Sequence, residues 1–142
     1  MTSLPAPVDL LPHRAPFLLL DELRALEPGR SGTGIWRLGG DEWFFGGHFP
    51  GRPTLPGVLM CESIAQLGAC VVLADERFSG KLPLFGGLDG ARFRRQVVPG
   101  DELIVEVELG RMSARAGKGS GTARVGDEVA ATCDLMFVLA DA

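Results

Sequence analysis

The chain has no tyrosine, only two histidines and only three cysteines among its 142 residues. Proteins that hold single-stranded nucleic acid need exposed aromatics and a basic surface. A formal net charge of −4 and the missing tyrosine therefore point away from that class. His13 and His48 stand far apart, with no C-x-x-C and no H-x-x-x-H spacing, so the sequence holds no framework for a bound metal. Cys61, Cys70 and Cys133 are odd in number, widely separated and set in apolar surroundings. They read as reduced core residues rather than a disulfide scaffold. No apolar run approaches the ~20 residues needed to cross a bilayer. "MTSLPAPVDLLPHRAP" lacks the basic start and apolar core of a leader, which makes the cytoplasm the expected compartment.

Familiar catalytic fragments also fail. "GTGIWR" begins like a dinucleotide fingerprint, but Arg37 stands where the third glycine belongs. "AGKGS" evokes a phosphate loop, yet Met112 occupies the position of its first glycine. Both read better as turns. There is no G-x-S-x-G elbow, and nothing in sequence supplies Ser63 or Cys61 with an activating base.

What is present fits one domain spanning residues 1–142, with 46% hydrophobic and 23% charged residues, near globular averages. Residues 9–14 suit a short helical turn broken at Pro12. "PFLLLDELRAL" and "GTGIWRLGG" suit a hairpin closed at Pro28-Gly29. The segment from Pro56 to about Arg77 reads as the one long helix, capped near Thr54 or Leu55. Between Val58 and Leu73 its polar side chains are few, chiefly Glu62, Ser63 and Gln66. A helix apolar nearly all round is buried on most sides. "LPLFGGLDGARFRR" reads as a strand with a glycine kink, "LIVEVELGRM" alternates with period two, and 119–140 divides at Gly126-Asp127. The expected architecture is α+β: a long central helix wrapped by an antiparallel sheet of five or six strands.

Chemistry concentrates in "GGHFPGRPTLPGVLMCESIAQ", residues 46–66. Prolines 50, 53 and 56 exclude regular helix or central strand, so His48 sits in an ordered, stiffened loop. His13, beside Arg14 in "LPHRAPF", reads as part of an exposed turn. Glu62, placed on an apolar helix, needs either a partner arginine or a role as a buried acid with a raised pKa. Gly57 and Val58 offer free N–H groups at the positive end of the helix dipole, with no side chain at Gly57 to block a carbonyl oxygen. A base, an acid and an anion hole so close in sequence suit proton abstraction beside a carbonyl.

The H-F-P-G…P-G-V-L…E-x-x-A-Q pattern resembles the signature of the FabZ-type 3-hydroxyacyl-acyl-carrier-protein dehydratases, which have the hot-dog fold. "LPHRAPFLLLDEL" and "LFGGLDGARFRRQVVPGDELIVEVEL" resemble that family's flanking blocks, so nearly the whole chain is covered in order. The chain departs from the pattern at Leu55 and Gly90 and lacks a tunnel-gating tyrosine. The resemblance implies that His48 removes the C2 proton of a 3-hydroxyacyl thioester, Glu62 helps the C3 hydroxyl leave as water, and the Gly57 N–H polarises the thioester carbonyl. Val58, Gln66, Phe49, Phe85 and Gly86 complete the implied substrate contacts. No metal or organic cofactor is implied. The implied partners are acyl carrier protein, with Arg92, Arg94 and Arg95 as its basic contacts or else as solvated strand residues, and a second subunit. Dimers sharing each site, with further assembly into trimers of dimers, belong to the same expectation. Fatty-acid and polyketide or polyene elongation both remain open as the setting. The alternatives are a hot-dog acyl-thioester hydrolase and a non-catalytic subunit of a heteromeric dehydratase.

Overall fold

A computed structural model describes residues 3–142; the leader reading rests partly on Met1 and Thr2, which lie outside them. A single turn of helix, α1 (Pro7–Leu10), precedes a hairpin of β1 (Glu22–Glu27) and β2 (Ser31–Arg37). The long helix α2 (Gly57–Leu73) follows, then a 3₁₀ turn at Glu76–Phe78. Four strands complete the chain: β3 (Lys81–Phe93), β4 (Glu102–Met112), β5 (Ala116–Val125) and β6 (Glu128–Asp141). All neighbours pair antiparallel in the order β1-β2-β4-β5-β6-β3. The six-stranded sheet wraps α2, which is the hot-dog arrangement.

The alternation in β4 sets its two faces. Leu103, Val105 and Val107 are buried against the helix, while Glu102, Glu106 and Glu108 turn outward. Across from β4, glycines let α2 sit close to the sheet. A Cβ at Gly121 of β5 would stand 2.2 Å from Ile64 Cγ2, and one at Gly68 of α2 would stand 2.6 Å from the Phe137 ring. "GTGIWR" lies in β2, the hairpin strand expected of "GTGIWRLGG", with Gly32 leaving room for Val71 of α2. "AGKGS" lies in β5, where a turn was expected, with Gly117 and Gly119 packed against Met112, Glu108 and Leu109 of β4. Gly68→Ala is accordingly expected to cost about 1–3 kcal/mol of stability through overpacking, read from a denaturant midpoint.

Several boundaries differ from expectation for local reasons. α1 begins at Pro7, not residue 9, because proline suits the first helical turn. The apolar run from Phe17 to Leu20, just before β1, is not strand: Phe17 and Leu19 commit backbone groups to side chains of α2 instead. α2 stops at Leu73, short of Arg77. There the Asp75 carboxylate accepts the Arg77 N–H and starts the 3₁₀ turn, and the Gly29 N–H of the β1–β2 turn donates to the Val71 carbonyl. Pro56, not Thr54 or Leu55, is the N-cap of α2.

Cys61, Cys70 and Cys133 are free and buried. Burial pushes the Cys70 thiol up to about 12, which leaves it protonated and inert. No helix among the described residues is long and apolar enough to cross a membrane.

Candidate active site

The loop between β2 and α2 is pinned at both ends. Phe44, Phe45 and Leu55 are buried, the Leu55 N–H donates to the Val97 carbonyl (2.8 Å), and the Thr54 N–H donates to the His48 carbonyl (2.7 Å). Phe49 and Arg52 exchange backbone bonds of 3.0 and 2.8 Å across the proline-rich turn. The His48–Phe49 peptide is cis, and the two rings stack with centroids 4.0 Å apart.

The half-buried His48 ring places Nδ1 2.7 Å from the Thr54 carbonyl oxygen. A carbonyl only accepts, so Nδ1 carries the proton and Nε2 keeps its lone pair. This is the tautomer a general base needs. His48 lines an open groove of about 590 Å³ together with Gly57, Val58, Phe93, Arg94 and Arg95. The N-terminus of α2 has no side-chain cap, and the Leu59 N–H turns back to Pro56. The first two N–H groups, at Gly57 and Val58, are thus available to a developing negative charge. A Cβ at Gly57 would also strike the Phe93 ring at 2.8 Å.

Glu62 lies on the strip of α2 that the sheet leaves open. It is 21% exposed, not the fully buried carboxyl expected, and lines a second, mainly apolar groove of about 470 Å³ with His13, Phe17, Ala65, Ala69 and Phe85. No arginine pairs with it among the described residues. Its Oε2 accepts from Gln66 Nε2 at 2.9 Å.

Gln66 itself is 1% exposed. Its Nε2 also donates to the Phe17 carbonyl, and its Oε1 accepts from the Leu19 N–H, both at 2.8 Å. With its amide committed to protein partners, Gln66 holds Glu62 and also lines the same groove. The other expected contacts divide. Phe85 lines the Glu62 groove, while Gly86 falls in the β3 bulge beside it without lining that groove. Val58 and Phe49 are exposed near His48. Arg94 and Arg95 reach the His48 groove, but Arg92 does not. Arg95 also stands 3.6 Å from Glu128.

His13, expected in an exposed turn, is instead half-buried with Nε2 3.9 Å from Glu62 Oε2. Its one available signal was context: like His48 it lies among prolines, at Pro12 and Pro16. In one chain His48 and Glu62 line separate grooves.

A histidine on a braced loop, an open helix N-terminus and a glutamate on the same helix, all on a hot-dog scaffold, fit a dehydratase-like class. The chain belongs to the FabA-like domain family, whose model matches residues 11–134. Within it, the chain is 51% identical over 132 residues to the 3-hydroxyacyl-[acyl-carrier-protein] dehydratase FabZ of Moorella thermoacetica, covering 93% of this chain and 92% of that one. It is 50% identical over 131 residues to the FabZ of Pelotomaculum thermopropionicum, covering 92% and 94%. Among solved structures, the dehydratase heterocomplex ApeI:P from Xenorhabdus doucetiae matches with a TM-score of 0.77 at 19% identity, over 96% of this chain and 91% of that chain. That match shows the shared fold.

Proposed function

We propose that this chain, acting as one dehydratase domain, is a hydro-lyase. It converts (3R)-3-hydroxyacyl thioesters on acyl carrier protein to trans-2-enoyl thioesters in fatty-acid elongation. Its relatives at about half identity along nearly their whole length are FabZ dehydratases, which supports the reaction. The observation that carries the residue assignment is the His48 groove: a ring with its Nδ1 proton committed to Thr54 beside the uncapped start of α2.

His48 Nε2 takes the C2 proton. The charge that moves onto the thioester oxygen is met by the Gly57 N–H, with Val58 beside it. The C3–O bond then breaks, its electron pair leaving with the oxygen, and Glu62 supplies the proton that completes water. Proton exchange from His48 back to Glu62 resets the site. Arg94, exposed at the groove mouth, and Arg95 supply positive charge for the acidic carrier or its phosphopantetheine phosphate. Three free thiols support a reducing, cytoplasmic setting.

The second half of each site comes from a second copy. Each protomer's β3 has β6 on one side only, leaving its other edge free, and exposes Leu84, Phe85 and Leu88. Pairing of two β3 edges about a twofold axis would set the two α2 helices side by side. His48 of one protomer would then face Glu62 of the other, and such dimers could associate into trimers. Mixing subunits tests this arrangement. His48→Ala and Glu62→Gln chains should each keep only a small residual turnover, yet a co-refolded equal mixture should recover about a quarter of wild-type activity, since half the dimers hold one intact pair. No recovery would rule out the shared site.

A further inference from the structure

We propose that His13 is a positioning residue for Glu62, fixing which carboxyl oxygen carries the acidic proton; this rests on Glu62 acting as the acid. The segment that carries His13 is fastened to α2 by three side-chain bonds. Ser63 Oγ donates to the Leu19 carbonyl, Gln66 Oε1 accepts from the Leu19 N–H, and Gln66 Nε2 donates to the Phe17 carbonyl, each at 2.8 Å. Arg14 grips the other end, its Nη1 donating to the Leu11 and His13 carbonyls at 2.8 and 2.7 Å. A short loop with this many ties does not wander, and it delivers the His13 ring to the groove that Glu62 lines.

The ring's two nitrogens meet different surroundings. Nδ1 is buried with no hydrogen-bond partner among the described residues. A proton there would be a buried donor without an acceptor, whereas a proton on Nε2 faces a carboxyl oxygen, so the proton belongs on Nε2. Nε2 stands 3.9 Å from Glu62 Oε2. Catalytic contacts of that length in a ligand-free enzyme tighten when substrate binds. Gln66 Nε2 already donates to the same oxygen at 2.9 Å. With two donors converging on Oε2, that oxygen is the acceptor and the carboxyl proton resides on Oε1. The proton is thereby presented to the substrate hydroxyl in one orientation.

The test uses the full-length protein and two replacements. His13→Phe keeps a flat ring, slightly larger, and removes the donor; His13→Gln restores an N–H near the position of Nε2. The expected result is a fall of about tenfold in kcat for His13→Phe with KM nearly unchanged, the upper scale of one hydrogen bond between neutral groups. His13→Gln should recover most of it, and His13→Phe should add no further loss to the residual turnover of Glu62→Gln. Thermal midpoints of all variants report folding separately. Equal turnover in the Phe and Gln variants, or an effect confined to KM, would overturn the role of His13. Wild-type turnover in Glu62→Gln would instead remove the acid assignment, and this inference with it.

Discussion

Replacing His48 by alanine is expected to lower kcat/KM by about 10²–10⁴-fold, the usual contribution of one positioned general base. The loss should be read as slowed release of water from a carrier-bound 3-hydroxyacyl chain, followed by mass spectrometry. Thermal stability should hardly change, because the loop keeps its buried anchors Phe44, Phe45 and Leu55 without the imidazole. A chain that stayed folded and kept full activity would remove the base from the mechanism. The expectation is strong because the ring is committed before substrate arrives. Its Nδ1 bond is made to the carbonyl of Thr54, a backbone group that the Leu55–Val97 bond holds in register. No tautomer search or ring rotation is left for the moment of reaction.

The second large effect is on stability. Phe137 is 1% exposed, touches the helix where Gly68 makes room for it, and forms the floor of the Glu62 groove. Phe137→Ala is expected to cost about 3–5 kcal/mol, combining lost transfer energy with the cavity left behind. In a domain of this size the thermal midpoint should drop by roughly 10–15 °C. A shift of only a degree or two would mean that Leu82, Ala69 and their neighbours close the space, and that the groove floor is softer than its packing implies. Adding Gly68→Leu to the Phe137→Ala chain offers the converse reading, since a larger helix residue could refill the volume.

Much of this fold was legible because it is written in local chemistry. The alternation of β4 and the Gly126-Asp127 turn appear where expected, and the apolar run after Pro56 is the central helix. His48 was legible for the same reason: prolines and glycines on both sides announce a braced loop. What stayed hidden depends on residues distant in sequence. The glycines of "AGKGS" look like turn formers until Met112, Glu108 and Leu109 of β4 are in place against them, and Gly32 shows its use only once Val71 of α2 lies over it. The end of α2 is decided by Asp75 and by Gly29 from another hairpin. Gln66 stands out in the motif, but the partners that hold its amide, Phe17 and Leu19, lie more than forty residues earlier. His13 joins Glu62 only because those same bonds fold its segment onto the helix. Glu62 is partly open because a sheet can wrap a helix without closing on itself.

The thirteen-residue β3 shows how an assembly can be restricted as well as invited. An unpaired strand rim is a template for indiscriminate stacking, and natural proteins guard it with proline, irregularity and charge. Pro83 has no N–H to offer a stranger, the irregularity between Phe85 and Gly87 spoils a flat ladder, and Asp89 and Arg92 carry opposite charges along the same edge. A partner strand running the opposite way, with the same sequence, can answer those features in few registers. In the proposed dimer this rim would act as a gatekeeper, favouring a copy of itself over the open-ended growth that leads to aggregates.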